Sequence, residues 1–344
     1  MIKIQNIYHM LAYAFHALNE SEYKEFGTEK FENAADLLSA IIIKGIKTQL
    51  KRELGRTYLD KTESLSCLHG KIDITESIKQ QTLIKHQLIC AYDELSVDSY
   101  MNRILKTTMK LLLQYDIDKS RKKGLQELLL YFAEIKTIKI HSINWRFAFH
   151  RNNQTYQMLM SICQLIIKGL LQNTSDGSLK LMDFFNDQQM CHLHERFILG
   201  YYKRHFSQIK TNSLQIKWAL DDKFDTMLPT MQTDITLTYN NKILIIDAKY
   251  YNQITQTRYN SNTYRSHNLY QIFTYVKNMA SSDKGENKEV SGMLLYAKPD
   301  DEINHDSTYI MSGNKITIKT LDLNCDFKEI AKQLDLIAKN LIGI

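Results

Sequence analysis

The stretch Thr233-Asp-Ile-Thr-Leu-Thr-Tyr-Asn-Asn-Lys-Ile-Leu-Ile-Ile-Asp-Ala-Lys-Tyr250 decides the fold of the second half of the chain. Two runs rich in β-branched residues flank Asn240-Asn241. Asparagine tolerates the positive φ that a two-residue hairpin turn requires. The pattern therefore predicts a β-hairpin in which Tyr239 pairs with Lys242.

The register of this hairpin predicts that three charged side chains meet. Counting outward from the turn places Asp234 directly opposite Asp247. Directly opposite residues share a face of the sheet, with Cβ atoms about 4.5–5.5 Å apart. Lys249 lies two residues beyond Asp247 and points to the same face. Two carboxylates and one ammonium are expected at a single place.

This trio suits the hydrolysis of phosphodiesters. Two carboxylates this close repel each other unless a cation lies between them, and oxygen ligands of this kind select Mg²⁺ or Mn²⁺. A lysine beside such a metal can orient the attacking water and stabilise developing negative charge. The alternative is that Asp247 and Lys249 are ordinary solvent-facing residues. The apolar context Ile243-Leu-Ile-Ile-Asp-Ala248 argues against it, because an unpaired charge in a central strand is costly.

The rest of the chain indicates two domains. At about 100–200 residues per domain, 344 residues favour more than one. Helical periodicity dominates the first half, strands and helices alternate in the second, and turn formers cluster at 172–178. We expect an α/β protein with a mostly helical domain at 1–180 and a domain with a mixed sheet flanked by helices at 181–344.

Charge and cysteine usage narrow the class of protein. The formal net charge of +6 suits a polyanionic partner. Five widely spaced cysteines without a C-x-x-C motif support neither a disulfide framework nor a zinc ribbon. His192 and His194 point to different sides of a helix, so they do not indicate a zinc site either. The sequence shows no signal peptide and no membrane-spanning run, and a cytoplasmic location is expected.

Asp234-x₁₂-Asp247-x-Lys249 on a hairpin resembles the signature of the PD-(D/E)XK nuclease superfamily, with Thr233 in place of its proline. Gln271 and Tyr275 look like the Q-x-x-x-Y helix of several of its branches. Glu195 matches, more weakly, a carboxylate that many of these nucleases carry on their first helix.

Further motifs, distributed over nearly the whole chain, resemble the McrC family, the nuclease subunits of McrBC-type restriction systems that act on DNA containing 5-methylcytosine. The motifs are Asn6-Ile-Tyr-x-Met-Leu-x-Tyr-Ala14, Gly70-Lys-Ile-Asp73, Asn102-Arg-Ile104, Leu228-Pro-x-Met-x-Thr-Asp-Ile235, Ile243-Leu-Ile-x-Asp-Ala-Lys-Tyr-Tyr251 and Asn268-Leu-Tyr-Gln271.

The resemblance implies a site and a division of labour. Asp234, Asp247 and the carbonyl of Ala248 would bind Mg²⁺, with Mn²⁺ as a substitute. Lys249 would position the water, and Gln271 and Tyr275 would support Lys249 or the phosphate. The 1–180 domain would dock on a McrB-type AAA+ GTPase ring and stimulate it. The chain has no G-x-x-x-x-G-K-[ST] motif, so GTP would be bound by that partner.

Double-stranded modified DNA is the expected substrate. Arg258, Tyr259 and Arg265 follow the catalytic strand, and arginines for phosphates with a tyrosine for sugars or bases suit DNA contact. Two alternatives stay open. The chain could be a non-catalytic GTPase activator and DNA clamp with a degenerate nuclease fold, or a stand-alone nuclease such as a junction resolvase.

Overall fold

The structure is a computed structural model. It describes residues 2–15, 29, 31, 33–149, 154–173, 187–221, 227–250, 255–258, 261–298 and 305–343, and at 154–155, 169–173, 187–189, 255–258 and 261–262 it describes the backbone only. Within these ranges, no helix combines the length and apolar character needed to cross a membrane.

The chain divides into two compact units. The first unit comprises Met1–Leu37 together with Ser178–Ile344, and the second comprises Leu38–Gly177. The predicted division at 1–180 and 181–344 differs from this one in the placement of the first 37 residues. The physical reason is buried Asn6, whose Nδ2 donates hydrogen bonds to the carbonyls of Leu323 and Cys325, both at 2.8 Å.

The second unit combines helices with a small antiparallel sheet of order β1-β3-β2. Its elements in chain order are most of α2 (Ala34–Lys51), β1 (Thr57–Leu65), β2 (Lys71–Asp73), α3 (Ile74–Lys79), a 3₁₀ turn (Thr82–Lys85), β3 (Leu88–Ser96), α4 (Tyr100–Leu112), α5 (Lys119–Leu130), a 3₁₀ turn (Ile140–Ser142) and α6 (Gln154–Asn173).

Asn102 of α4 is a buried structural residue in this unit. Its Nδ2 donates to the carbonyls of Gly55 and Val97, and its Oδ1 accepts a hydrogen bond from Tyr156 at 2.8 Å. Its neighbour Arg103 donates twice to Asp98, at 2.8 Å each. The Asn102-Arg-Ile104 motif therefore holds the unit together.

The first unit is built on a six-stranded mixed sheet of order β12-β13-β11-β8-β7-β4. Its elements are α1 (Ile4–Ala14), α7 (Asp187–His205), β4 (Lys210–Asn212), β5 (Gln215–Ile216), β6 (Met231–Gln232), β7 (Ile235–Tyr239), β8 (Lys242–Lys249), β9 (Thr255–Arg258), β10 (Ser261–Tyr264), α8 (Ser266–Ala280), β11 (Glu289–Ala297), β12 (Asp306–Met311), β13 (Asn314–Leu321) and α9 (Phe327–Ile342). Strand β11 runs parallel to both β8 and β13. The predicted α/β fold with a mixed sheet is confirmed.

Helices cover both faces of this sheet. Helix α8 packs on the face formed by Ile243 and Ile245, and a Cβ at Gly292 would lie 2.8 Å from Ile272 and Val276 side-chain atoms. This close approach needs glycine. The other face carries Leu244 and meets α9. Helix α7 packs on α9, where the Tyr202 hydroxyl donates to the Leu334 carbonyl at 3.1 Å.

The hairpin has the predicted register. Pairing runs from Tyr239↔Lys242 to Ile235↔Ile246, and Asn240 adopts φ 49°. The two-residue turn is confirmed.

Candidate active site

Strand β8 and the residue before β7 bring two carboxylates together. Asp247 is 1% exposed, and its Oδ2 lies 3.0 Å from Nζ of Lys249. The paired ladder stops at Ile235↔Ile246, one step before Asp234. A side-chain hydrogen bond replaces the missing pair, because Oδ2 of Asp234 accepts the backbone N–H of Ala248 at 2.9 Å. The predicted trio of Asp234, Asp247 and Lys249 is therefore assembled.

Burial governs the electrostatics of this trio. It raises the pKa of Asp247 to about 7; Lys249 opposes this shift and the charge of Asp234 adds to it. Burial also raises the pKa of Asp234, against the lowering effects of Lys249 and the Ala248 N–H. Two carboxylates share one ammonium, so an additional cation would stabilise their ionised forms.

The carboxylate oxygens of Asp247 are suited to binding a cation. Both of its oxygens are buried, and neither accepts a well-formed hydrogen bond from a residue that the structure describes. The Lys249 ammonium is close enough to compensate charge, but the contact is not aligned as a hydrogen bond. Buried carboxylate oxygens without donors are suited to metal ligation.

The donor set suits Mg²⁺ better than metals that take all of their ligands from the protein. In the described ranges, no group of three or more His, Cys, Asp and Glu side chains is arranged to hold a metal. Mg²⁺ commonly keeps several waters and takes one or two carboxylates together with substrate phosphate oxygens. Asp234 and Asp247 supply those two carboxylates, and the Ala248 carbonyl stays a predicted third ligand.

Helix α8 contributes a relay to Lys249. Nζ of Lys249 donates to Oε1 of Gln271 at 3.2 Å, and Nε2 of Gln271 donates to the hydroxyl of Tyr275 at 3.0 Å. Lysine has only donors, so the amide oxygen of Gln271 must face it and the amide nitrogen must face Tyr275. The spacing i, i+4 places both α8 residues on one helical face. The two predicted supporting residues thus lie in one hydrogen-bonded chain with Lys249.

Glu195 on α7 lies within electrostatic reach of the same site. Its pKa is raised by burial and by the charge of Asp234, while His192 and Lys249 lower it. Its Oε2 lies 3.3 Å from Nδ1 of His192. Glu195 therefore lies within electrostatic reach of Asp234, but among the described residues it does not complete a group of three metal-binding side chains.

Most of the sequence matches the model of one protein family. Residues 4–297 match the family model described as McrBC 5-methylcytosine restriction system component. The chain belongs to this family.

Two known proteins extend the comparison. The chain is 28% identical over 342 residues to the type IV methyl-directed restriction enzyme EcoKMcrBC of Escherichia coli K12, covering 97% of this chain and 96% of the relative. It also resembles a chain in the solved assembly of Thermococcus gammatolerans McrB AAA+ hexamers with bound McrC. There the TM-score is 0.54 and the identity 18%, over 97% of this chain and 76% of that one, which shows a shared fold.

The structure describes the three predicted DNA-binding residues of this McrBC-family chain to different extents. Arg258 ends β9, which pairs with β10 in a separate two-stranded antiparallel sheet, and only its backbone is described. Tyr259 lies outside the described residues. Arg265 is half-buried at the start of α8. Strands β9 and β10 lie between β8 and α8 in the chain, and DNA contact by these residues stays a prediction.

Tyr296 is a neighbour of the site that the sequence motifs did not predict. It pairs with Lys249 across β11 and β8, is fully buried, and accepts a hydrogen bond from Nδ2 of Asn268 at 2.9 Å. Paired residues of parallel strands share a face, so the Tyr296 ring flanks the stem of Lys249. Asn268 belongs to the Asn268-Leu-Tyr-Gln271 motif. Its position three residues before Gln271 is the sequence feature that could have indicated this part of the site.

His194 and His192 lie on different sides of α7, as their spacing predicts. His194 is completely buried, and burial lowers its pKa to about 4, so its ring is neutral at pH 7. His192 is exposed on the opposite side of α7.

Proposed function

We propose that this chain is the DNA-cleaving subunit of a GTP-dependent, modification-dependent restriction complex. The observation that carries the proposal is the buried cluster of Asp234, Asp247 and Lys249. Burying two like charges beside one another destabilises a fold, and such arrangements concentrate at functional sites. A protein that only clamps DNA gains nothing from this cluster.

The residues divide the chemistry of phosphodiester hydrolysis between them. Asp234 and Asp247 would hold Mg²⁺, or Mn²⁺, which when bound supplies positive charge to the attacked phosphate and acidifies water. Lys249 is fixed by Asp247 on one side and by Gln271 on the other. A fixed ammonium can donate to the attacking water or to a phosphate oxygen without reorganising during the reaction.

Gln271 and Tyr275 would act through Lys249 and through the phosphate. Gln271 orients the ammonium by accepting its hydrogen bond. The hydroxyl oxygen of Tyr275 already accepts from Gln271, so its own proton is available to a phosphate oxygen. Glu195 would raise the negative potential at the metal site.

The GTPase partner would be a McrB-type AAA+ ring. The similar solved chain belongs to an assembly of McrB AAA+ hexamers with bound McrC, and this chain contains no phosphate-binding loop motif of its own. The second unit offers a docking surface around β2, α3 and the following 3₁₀ turn. Its exposed apolar side chains are Ile72, Ile74, Ile78, Leu83 and Ile84. Contiguous exposed apolar side chains typically mark a protein interface.

The deciding experiment uses the full chain with its GTPase, GTP, Mg²⁺ and DNA with or without 5-methylcytosine. Asp247→Asn and Lys249→Ala should each lower cleavage at least ~100-fold, as loss of transition-state electrostatics does. Exposed Asp283→Asn is the matched control and should cut normally.

Two outcomes would redirect the assignment. An unsubstituted chain that stimulates GTP hydrolysis but never cuts DNA would favour the non-catalytic activator. Cleavage by the chain alone, without GTP, would favour the stand-alone nuclease.

A further inference from the structure

Helix α7 carries a groove that none of the site residues occupy. The groove has a volume of about 540 Å³ and is formed by the end of α1 and the outer face of α7. Its floor is apolar or small: Tyr13, Ala14, Leu199 and Gly200. Its walls carry three cations, and the lining residues that the structure describes include no carboxylate: Arg196, Lys203 and Arg204.

Close packing of the two helices shapes the groove. A Cβ at Gly200 would lie 2.1 Å from the carbonyl oxygen of Tyr13, so only glycine lets α1 approach this near. Two aromatic rings, that of Tyr13 in α1 and that of Phe15 directly after it, then support the arginines. The guanidinium carbon of Arg196 lies 5.0 Å from the ring centre of Phe15, and that of Arg204 lies 5.5 Å from the ring of Tyr13.

This support matters for anion binding. A guanidinium stacked on a ring keeps the N–H groups along its edge, which match phosphate oxygens. Stacking also restricts the side chain, so less entropy is lost when an anion binds. The helix dipole explains cations in the last turn of α7, where Lys203 and Arg204 lie, but it does not explain Arg196 in the middle of the helix.

We propose that this groove binds the phosphate backbone of duplex DNA next to the cleavage site, a proposal that rests on the DNA-cleaving function above. The first half of α7 reaches the end of β8, where Sγ of Cys191 donates to the carbonyl of Tyr250, the residue after Lys249, at 3.4 Å. Arg196 lies about one and a half turns further along the same helix. From Arg196 to Arg204 the helix rises about 12 Å. Duplex DNA carries about seven phosphate charges over that length. The cationic side chains of the groove would contact the phosphates, and its apolar floor would lie against the sugars.

The test measures DNA affinity rather than cleavage. The full chain carries Asp247→Asn to prevent cutting, and a fluorescent 30-base-pair duplex is titrated at several salt concentrations. Replacing Arg196 and Lys203 together by glutamine should weaken binding about tenfold and lower the slope of log Kd against log salt by ~2, since each phosphate contact contributes about 0.9.

Two further variants control for charge and folding. Lys328→Gln with Lys339→Gln removes the same charge from exposed positions on α9 and should leave the slope unchanged. Arg196→Lys with Lys203→Arg keeps both charges and should retain the parent slope, while thermal melting confirms folding of each variant.

Three results would overturn the proposal. The first is an unchanged salt slope in the variant with glutamine at Arg196 and Lys203. The second is an equal loss of DNA affinity in that variant and in the Lys328 and Lys339 control. The third is intact DNA binding together with lost binding to the GTPase. The last result would assign the groove to a protein interface. A chain that binds DNA through the groove but never cuts it would instead contradict only the proposed nuclease function.

Discussion

The carboxylate of Asp247 and the ammonium of Lys249 lie 3.0 Å apart on one face of β8, inside a sheet whose neighbouring residues are apolar. Taken alone, this pair is neutral. Asp234 adds a second negative charge, and the N–H group of Ala248 that donates to it carries no net charge. A cation bound between the two carboxylates would therefore stabilise the site.

The first prediction concerns the stability of the metal-free protein. Asp234→Asn removes one of two neighbouring negative charges, while its amide oxygen can still accept the Ala248 N–H. We expect the variant to be more stable than the parent in EDTA at pH 7, by ~1 kcal/mol, the scale of one screened like-charge contact. Thermal melting measures the difference.

Metal should reverse this order. Mn²⁺ at about 100 times its Kd would stabilise the parent by about 2.7 kcal/mol, and the variant by much less. Asp283→Asn should behave as the parent under both conditions. A variant that gains as much stability from Mn²⁺ as the parent would show that Asp234 is not a ligand.

The second prediction tests the relay from Lys249 through Gln271 to Tyr275. Gln271→Ala removes the acceptor that holds the ammonium, so cleavage should fall about tenfold, the lower end of what a misplaced catalytic group loses. Tyr275→Phe keeps the ring and loses the hydroxyl. Single-turnover cleavage of a labelled duplex, with the GTPase present, measures both effects.

Coupling between the two positions separates two roles for Tyr275. If Tyr275 acts only by orienting Gln271, the double variant should be no slower than Gln271→Ala alone. Additive losses would instead place the Tyr275 hydroxyl on the phosphate. Normal cleavage by Gln271→Ala would remove the relay from the mechanism.

The central hairpin was predictable because its signals are local. Asn240-Asn241 sets the turn, and the alternation along β7 and β8 sets which residues share a face. The meeting of Asp234, Asp247 and Lys249 follows from these two facts. The spacing of Gln271 and Tyr275 predicted their shared face, but the contact with Lys249 depends on how α8 packs on the sheet.

Other features depend on long-range packing and gave no local signal. Asn6 hydrogen-bonds to carbonyls more than 300 positions away, and this contact assigns α1 to the first unit. Tyr296 reaches the site through the parallel pairing of β11 with β8. Strands β4 and β12 were not predicted, since edge strands are short or polar and lack the apolar alternation that identifies inner strands.

The third prediction concerns acid stability of the second unit. Arg103 donates two hydrogen bonds to Asp98, and the N–H of Lys136 donates one. These bonds lower the pKa of Asp98, and those from Arg103 have the largest effect. A lowered pKa in the folded state contributes stability above the unfolded pKa of about 4. That contribution is lost as the pH falls through the folded value.

Asp98→Asn should therefore reduce the free energy of unfolding at pH 7 by about 2 kcal/mol, the scale of hydrogen bonds to a charged group. Urea denaturation of parent and variant should show this gap shrinking as the pH falls below 4. Glu127→Gln, exposed on α5, serves as the control and should change little. A gap that is constant with pH would mean that the charge of Asp98 contributes nothing.

The last prediction tests whether the second unit docks on the GTPase. Truncation at residue 180 is a poor test, because α1 packs on α7 through Gly200 and its loss would disturb the first unit. Point substitutions avoid this problem.

Ile78 and Ile84 are 60% and 77% exposed, so changing both to serine should leave folding intact while removing apolar area from the docking surface. Burying two isoleucines contributes about 3 kcal/mol or more at an interface, so the affinity for the GTPase should fall at least ~100-fold, and stimulation of GTP hydrolysis should fall with it at limiting concentrations. Asp247→Asn is the matched comparison, since it should stimulate GTP hydrolysis fully while leaving DNA uncut. Full stimulation by the Ile78 and Ile84 double variant at concentrations below the parent Kd would place the docking surface elsewhere on the chain.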